Sequence, residues 1–154
     1  MKAATNFYNQ LAVKAILNGH AVDIFNCAID QIGLMEMKNL PDKTGGYMLL
    51  TDSFGKDEFK SSLQKVFTTE ASGALSMGFG ANIDIFTSRD VKCSGCIGPV
   101  TSTKKKSAFV SDVEIGQGAT SQWAMSSVDT YTTLAFYLDI VAQNRDPNRK
   151  KGVV

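Results

Sequence analysis

Apolar residues recur every three or four positions in the first part of the chain. On a helix they form two adjacent columns, which consist of Phe7, Leu11 and Ala15 and of Tyr8, Ala12 and Ile16. Such a stripe predicts an amphipathic helix over residues 6–18. Thr5 or Asn6 is expected to cap its start, and Gly19 suits the left-handed position after its end.

Two short apolar runs follow, and each is followed by a helical segment. Residues 21–28 and 47–50 are predicted to be buried strands, because their apolar side chains run nearly without interruption. One helix is predicted from a cap at Asp30 until Pro41 stops it, and another begins near Gly55. The order strand, helix, strand, helix favours a parallel sheet covered by helices.

The pattern then changes to strict alternation. The odd positions from Leu75 to Ile85 are apolar, and the even positions between them are small or polar. This period of two is typical of a half-buried antiparallel strand. Further strands are predicted at residues 91–97, 122–126 and 134–140, joined by loops rich in Gly, Ser, Thr and Lys.

This change of pattern places a domain boundary near residues 70–73. Residues 1–70 are predicted to be an α/β segment, and residues 71–142 an all-β antiparallel segment. Residues 143–154 are polar and basic, and they are predicted to be disordered.

Composition narrows the class of protein. The 154 residues, 44% apolar and 20% charged, suffice for a globular domain with a real core. The net charge of +1 gives no overall field that would attract nucleic acid. No apolar run reaches the roughly 20 residues of a membrane helix, and no signal peptide is visible. Three cysteines, an odd number, favour a reducing, cytosolic setting.

Cys93 and Cys96 have the C-x-x-C spacing of redox pairs and of half a zinc site. A redox pair is expected at a helix N-terminus, where the dipole lowers the thiol pKa, but these residues lie in a predicted strand. Positions three apart in a strand face opposite sides. A zinc site would need further ligands, and only Cys27 and the single histidine, His20, remain. A structural role is favoured, with a thiol oxidoreductase as the alternative; one histidine also gives triad catalysis weak support.

Asp52 and Ser53 follow a predicted strand, where a cation site of the von Willebrand A type would lie. That site needs D-x-S-x-S, so that a carboxylate and two hydroxyls converge on one cation. The third and fifth positions here are Phe54 and Lys56, so the motif is broken. Capping of the next helix by Asp52 or Ser53 is the favoured interpretation, and a cation-dependent binding module is a second alternative.

Two further features have both a structural and a functional interpretation. Trp123 alternates with Met125 in a predicted strand, which favours core packing over ligand stacking. Lys104, Lys105 and Lys106 lie in a predicted loop, where they are weak candidates for contact with anionic lipid or an acidic partner. No catalytic, cofactor-binding or metal-binding residue is predicted.

Seven segments of the chain together match the pattern of one protein family. They are residues 19–38 and 44–54, Met77-Gly-Phe-Gly-Ala81, Thr87-Ser-Arg-Asp90, Gly95-Cys-Ile-Gly-Pro99, Glu114-Ile-Gly-Gln-Gly-Ala-Thr120 and Gln122-Trp123. They resemble the GTPase-activating subunit of the inner COPII vesicle coat, or Sec-twenty-three family. The similarity covers nearly the whole chain, whereas the chain covers a central piece of the family's protein.

The resemblance implies an architecture. Residues 1–70 are similar to the C-terminal part of a von Willebrand A-like trunk, and residues 71–142 to most of a β-sandwich. The family's zinc finger lies outside this segment, so no cofactor is expected within it. The three lysines and the two cysteines depart from the family's pattern, so no family role is assigned to them.

The resemblance also implies a function in transport from the endoplasmic reticulum to the Golgi. The parent protein would act on the cytoplasmic face of the endoplasmic reticulum membrane and on vesicles. Its expected partners are a Sar-type small GTPase, the cargo-binding COPII subunit, the outer coat layer and, peripherally, the membrane. It would activate GTP hydrolysis with an arginine supplied from outside this segment, so Arg89 and Arg145 are not assigned that role. The chain itself is expected to be an interaction segment without an active site.

Short sheets with unpaired edges have a physical consequence. Two parallel strands and about four antiparallel ones leave edges and apolar faces uncovered. Self-association, strand exchange or a rearranged fold is therefore expected of the isolated chain.

Overall fold

The computed structural model describes residues 2–141, so the predicted disordered tail at 143–154 lies outside the described residues. The described part begins with an α/β segment and continues as two facing β-sheets, which confirms the predicted fold class. The elements in chain order are α1 (Lys2–Leu17), β1 (Ile24–Asn26), α2 (Leu34–Met37), α3 (Asn39–Thr44), β2 (Met48–Leu50), α4 (Asp57–Val66), β3 (Met77–Asp84), β4 (Val91–Ile97), β5 (Thr101–Ser102), β6 (Val110–Gly116), β7 (Gln122–Asp129) and β8 (Ala135–Ile140).

Helix α1 begins four residues earlier than predicted, at Lys2. Alanines at positions 3 and 4 have the highest helix propensity, so the helix extends through Thr5 and Asn6, and their predicted capping role is wrong. The C-terminal end of α1 agrees with the prediction. Gly19 has a φ of 68°, its N–H donates to the carbonyl of Ile16, and the N–H of His20 donates to that of Ala15. This pair of bonds is the Schellman arrangement.

Strands β1 and β2 form the predicted parallel pair, with Phe25 opposite Leu49. Strand β1 has three residues rather than the eight predicted over 21–28. Side-chain bonds replace ladder bonds on either side of it. The N–H of Val22 donates to Oγ1 of Thr44, and the N–H of Ala28 donates to Oδ1 of Asn26, which turns the chain out of the sheet.

The prediction of a single helix between Asp30 and Pro41 is wrong. The segment forms two short helices, α2 and α3, and Pro41 lies within the first turn of α3. Proline is accepted there because the first N–H groups of a helix have no intrahelical acceptor. Helix α3 ends instead at Gly45, whose φ is 71°. A Cβ on Gly46 would lie 2.1 Å from the carbonyl oxygen of Val22, so the approach of this turn to β1 requires glycine.

The predicted capping of α4 by Asp52 or Ser53 is also wrong. The helix begins at Asp57, and the residue before it makes no side-chain cap bond. The carboxylate of Asp52 instead lies 2.7 Å from Nζ of Lys56, and Oγ of Ser53 accepts the N–H of Gly55 at 3.1 Å. These two bonds close a loop before the helix, whose first turn is acidic and so complements the helix dipole.

The β half contains two three-stranded sheets in the described residues, ordered β3-β7-β5 and β6-β4-β8. The alternating residues form β3, which pairs antiparallel with β7 as their pattern predicts. One pair departs from the predicted antiparallel sandwich, because β4 and β6 run parallel. Strands β5 and β6 were expected to be loops. The apolar residues of β6 are spaced by three and then by two, which matches no strand period.

A bulge in β4 explains the position of the two cysteines. The register shifts between Cys93 and Gly95, so both thiols point into the core rather than to opposite faces as predicted. Gly95 has a φ of 150°, and a Cβ there would lie 1.9 Å from the carbonyl oxygen of Ile115. Glycine is therefore required where β4 approaches β6.

The sandwich core forms around Trp123, which is fully buried together with Cys93, Cys96 and Val100. The indole packs edge-on against Phe136 with ring centroids 5.4 Å apart, and its Nε1 donates to the carbonyl of Gln117 at 2.8 Å. Residues from both sheets meet on this ring, so the predicted core role of Trp123 is confirmed.

We expect Trp123→Ala to lower the free energy of unfolding by about 3–5 kcal/mol, because a large buried ring leaves a cavity. Urea denaturation followed by circular dichroism measures this loss. The matched control is Tyr131→Ala, where the side chain is 86% exposed and a change within about 0.5 kcal/mol is expected. Equal losses in the two variants would contradict the assignment of the core.

Candidate functional site

The lysine loop, residues 103–109, connects β5 to β6 and contains Lys104, Lys105 and Lys106. Four hydrogen bonds hold its backbone and hydroxyls against the start of β7. Thr103 donates to the carbonyl of Gln122 through both N–H and Oγ1, at 3.2 and 3.0 Å. Oγ1 of Thr120 donates to the carbonyl of Lys105 at 3.2 Å, and the hydroxyls of Ser107 and Ser121 lie 2.8 Å apart. The loop therefore has a defined position.

The lysine side chains themselves are exposed. The loop contains no acidic residue. Within residues 2–141, the ion pairs join Lys56 to Asp52 and Lys60 to Asp57, both on the other half of the chain. Three adjacent positive charges thus face solvent, although the net charge of the whole chain is only +1. Such a cluster attracts an anionic surface locally.

Two aromatic rings lie beside this loop and were missed by the sequence analysis. Phe109 ends the loop, and its ring packs edge-on against Phe86 with centroids 5.8 Å apart. The Phe86 side chain is 78% exposed. A basic loop next to an exposed aromatic ring has the two features of surfaces that lie at a membrane interface. The available signal was Phe86 itself, which breaks the alternation at the end of the β3 run.

The carboxyl edge of β1 and β2 borders an open depression of about 740 Å³. Asn26, Thr51 and Asp52 line it together with apolar residues that include Ile29 and Met35. The carboxylate of Asp52 is engaged with Lys56, and that hydrogen bond holds its pKa below the usual value. Among residues 2–141, no three His, Cys, Asp or Glu side chains cluster as ligands for a metal ion.

The two buried cysteines have raised thiol pKa values, whereas an activated thiol has a lowered one. Burial raises the pKa of Cys93, and burial followed by the charge of Cys93 raises that of Cys96 to about 11. A thiol nucleophile needs a lowered pKa and access to solvent. His20 follows the end of α1, where its backbone N–H completes the helix terminus, and within residues 2–141 it forms no ligand group with the two cysteines.

The junction between the two halves is a polar contact that the sequence did not indicate. Oγ of Ser127 donates to the carbonyl of Gly45 at 2.8 Å. The hydroxyl of Tyr47 donates to the carboxylate of Asp129. Within the first half, the backbone N–H of Tyr47 donates to Oδ1 of Asp23 at 2.7 Å. The two contacts that cross between the halves, from Tyr47 to Asp129 and from Ser127 to Gly45, each join residues 82 positions apart, so no local sequence pattern could reveal them.

The pKa values at the junction follow from the bond between Tyr47 and Asp129. That hydrogen bond, then burial, then nearby negative charge raise the pKa of Tyr47 from 10.0 to about 12. Burial acts to raise the pKa of Asp129, but hydrogen bonds from Tyr47 and Thr132 outweigh it and leave that pKa below 3.8. The tyrosine therefore stabilises the junction fully below pH 10 and loses this effect as the pH rises through 12. The carboxylate contributes above pH 3.8 and loses its effect as the pH falls below that value.

Among the helices of residues 2–141, none combines the length and the apolar character of a membrane span.

Comparison with protein families gives two matches. The model of the Sec23/Sec24 trunk domain matches residues 1–69, and the model of the Sec23/Sec24 beta-sandwich domain matches residues 78–154. Tyr47 lies in the first matched segment and Asp129 in the second, so their hydrogen bond joins the two domains.

We expect Tyr47→Phe to lower the free energy of unfolding by about 1.5–3 kcal/mol, because a charged acceptor loses its donor at a partly buried contact. Urea denaturation at neutral pH measures this change. In an absorbance titration, the tyrosine that ionises near pH 12 in the parent chain should be absent from the variant.

Tyr131→Phe is the control for this substitution, because it removes a hydroxyl from an exposed side chain of the same domain junction. The control should unfold with the parent chain and keep the high-pH transition. A stable Tyr47→Phe variant that also keeps this transition would contradict the assignment.

Proposed function

This chain belongs to the Sec23/Sec24 family of COPII coat proteins, and on that premise we propose that it is an interaction segment of the GTPase-activating subunit in endoplasmic reticulum-to-Golgi transport. The observation that carries the proposal is the pair of consecutive family matches, trunk and then sandwich, fastened by the contact between Tyr47 and Asp129. The acceptor of this bond is a carboxylate, and such charge-assisted hydrogen bonds are roughly twice as strong as neutral ones.

The choice of the GTPase-activating subunit is supported by three segments of the sandwich. They are Met77-Gly-Phe-Gly-Ala81, Thr87-Ser-Arg-Asp90 and Cys96-Ile-Gly-Pro99. Two of their glycines have positive φ, 64° at Gly80 and 148° at Gly98. A Cβ on Gly98 would lie 2.5 Å from Cδ2 of Leu134, so close packing at the start of β8 favours glycine there.

The proposed partners are a Sar-type small GTPase, the cargo-binding coat subunit and, through the parent protein, the outer coat layer. In this proposal the chain supplies binding surface, and the arginine that assists GTP hydrolysis comes from elsewhere in the parent. Arg89 lies at the turn before β4, and it is not assigned to catalysis; Arg145 lies outside the described residues. The chain is therefore an accessory element rather than an enzyme.

The lysine loop is proposed to face the anionic, cytoplasmic leaflet of the endoplasmic reticulum membrane or of the vesicle. Each lysine near such a surface contributes about 1 kcal/mol of attraction. The exposed ring of Phe86 beside the loop supports the same orientation, since an apolar ring next to basic residues is buried at the boundary between headgroups and acyl chains.

We expect the triple variant Lys104→Gln, Lys105→Gln and Lys106→Gln to bind vesicles containing phosphatidylserine at least tenfold more weakly, because three attractive charges are lost. Co-sedimentation at fixed ionic strength measures the partition. The control replaces Lys60 and Lys65 of α4, and Lys56 directly before that helix, by Gln, which changes the net charge equally at a different place. Equal losses in both variants would indicate a net-charge effect and contradict a specific role for the loop.

We expect a pull-down to capture this chain with the Sar-type GTPase loaded with a non-hydrolysable GTP analogue, and not with its GDP form. The chain alone should leave the rate of GTP hydrolysis unchanged. Light scattering on the same sample should detect oligomers, because Leu138 and Ile140 of the edge strand β8 are 55% and 80% exposed. A monodisperse, folded monomer that fails to bind the GTPase would contradict the proposed contact.

A further inference from the structure

Ser107 directly follows the three lysines, so positive charges occupy the three positions before its hydroxyl. We propose that Ser107 is a phosphorylation site for a protein kinase that selects basic residues N-terminal to the acceptor. We propose further that the phosphate switches off the attraction of the lysine loop to anionic lipid. This second step rests on the membrane contact given under the proposed function, whereas the first does not.

The loop presents the features by which such a kinase selects its substrate. Residues 103–107 have no regular secondary structure, and the three lysine side chains are exposed. A kinase that reads basic residues uses acidic groups beside its active site, so exposed lysines at fixed offsets supply the complementary charge. Ser107 is half-buried, and the loop is bonded to the residues at the start of β7. Because residues 103–107 belong to no strand, releasing these bonds frees the segment for an active-site groove without unfolding a strand.

The other hydroxyls near the lysines are poorer acceptors. Ser102 lies in β5, where its Oγ donates to the carbonyl of Gly118 at 3.0 Å. Thr103 donates its hydroxyl to the carbonyl of Gln122. Both residues precede the lysines, and the residues before them are Pro99, Val100 and Thr101, which carry no charge. Ser107 is thus the acceptor in this loop that has basic residues on its N-terminal side.

The hydroxyl of Ser107 is held by two neutral contacts. Its Oγ lies 2.8 Å from Oγ of Ser121 and accepts the N–H of Phe109 at 3.3 Å. Both hydrogen bonds are neutral and only partly buried, so a local opening of the loop exposes the hydroxyl to a kinase. Ser121 is buried, with an exposure of 7%. A phosphate on Ser107 cannot remain beside that hydroxyl without desolvation, so it is expected to turn outward to the lysines.

The chemical step is a phosphoryl transfer from Mg·ATP. Oγ of Ser107 attacks the γ-phosphorus, an O–P bond forms, the bond to the β,γ-bridging oxygen breaks, and ADP leaves. The hydroxyl proton passes to the catalytic aspartate of the kinase. The product carries a charge of about −1.5 to −2 at pH 7. Three lysines contribute +3, so roughly half or more of the charge of the loop is cancelled and its lysines gain an internal partner.

The modification is tested with the full chain, Mg·ATP and the active catalytic subunit of a kinase that recognises basic residues. Mass spectrometry should locate one phosphate, on Ser107. It should be absent from Ser107→Ala and retained in the control Thr103→Ala. The double variant Lys104→Gln and Lys105→Gln should be modified at least tenfold more slowly. No incorporation while a basic control peptide is modified, a phosphate on another residue, or an unchanged rate in the lysine variant would each overturn the site.

The switch is tested on vesicles of phosphatidylcholine and phosphatidylserine. The phosphorylated chain should bind roughly tenfold or more weakly than the unmodified chain. Ser107→Ala treated with kinase should bind as the unmodified chain does. Equal binding of both forms would overturn the switch. If the unmodified chain does not bind vesicles, the proposed membrane contact and the switch fail together, while mass spectrometry still decides the phosphorylation site.

Discussion

Strand β7 is the element on which the rest of the structure depends, because it must satisfy two different environments along eight residues. Its first half carries Trp123 and Met125 into the sandwich core. Its end carries Ser127 and Asp129 to hydrogen bonds with the α/β half. It also pairs with β3 on one side and β5 on the other. Apolar packing and a charged hydrogen bond therefore act on one strand, which contacts both halves of the chain.

The bulge in β4 is the constraint that makes this core possible. Without the shift at Gly95, one of Cys93 and Cys96 would face solvent and leave a gap beside the indole ring. The same glycine permits the close approach of β4 to β6, the parallel pair of the sandwich. Cysteine acts here as a small apolar side chain, which agrees with the raised pKa of both thiols.

Local patterns predicted the parts of the fold that local physics decides. Alternation from Leu75 predicted β3, the helical stripe predicted α1, and Gly19 predicted its end. Pro41 was misplaced, because proline fits the first turn of a helix as well as the position after one. Strand β6 was missed, because its pairing with β4 and not its own alternation determines its conformation.

The candidate site likewise combines features that local sequence decides with features that tertiary packing decides. The run of three lysines can be read directly from the sequence, whereas the rings of Phe86 and Phe109 come into contact only when the sandwich forms. The bond between Tyr47 and Asp129 spans 82 positions and depends on where two domains meet. Contacts of this kind are decided by tertiary packing, so the sequence contained the residues of the junction but no signal that paired them.

The two ends of β7 relate the proposed membrane contact to the trunk. The lysine loop is bonded to Gln122 at the first residue of the strand, and Tyr47 is bonded to Asp129 at the last. At a rise of about 3.4 Å per residue these ends lie roughly 25 Å apart. A single paired strand therefore fixes the direction in which the basic loop faces relative to the trunk. The hydrogen bonds that hold the loop to β7 come chiefly from backbone carbonyls and hydroxyls rather than from the lysine side chains. A charge added to the loop therefore changes its attraction to a surface without changing the packing of the core.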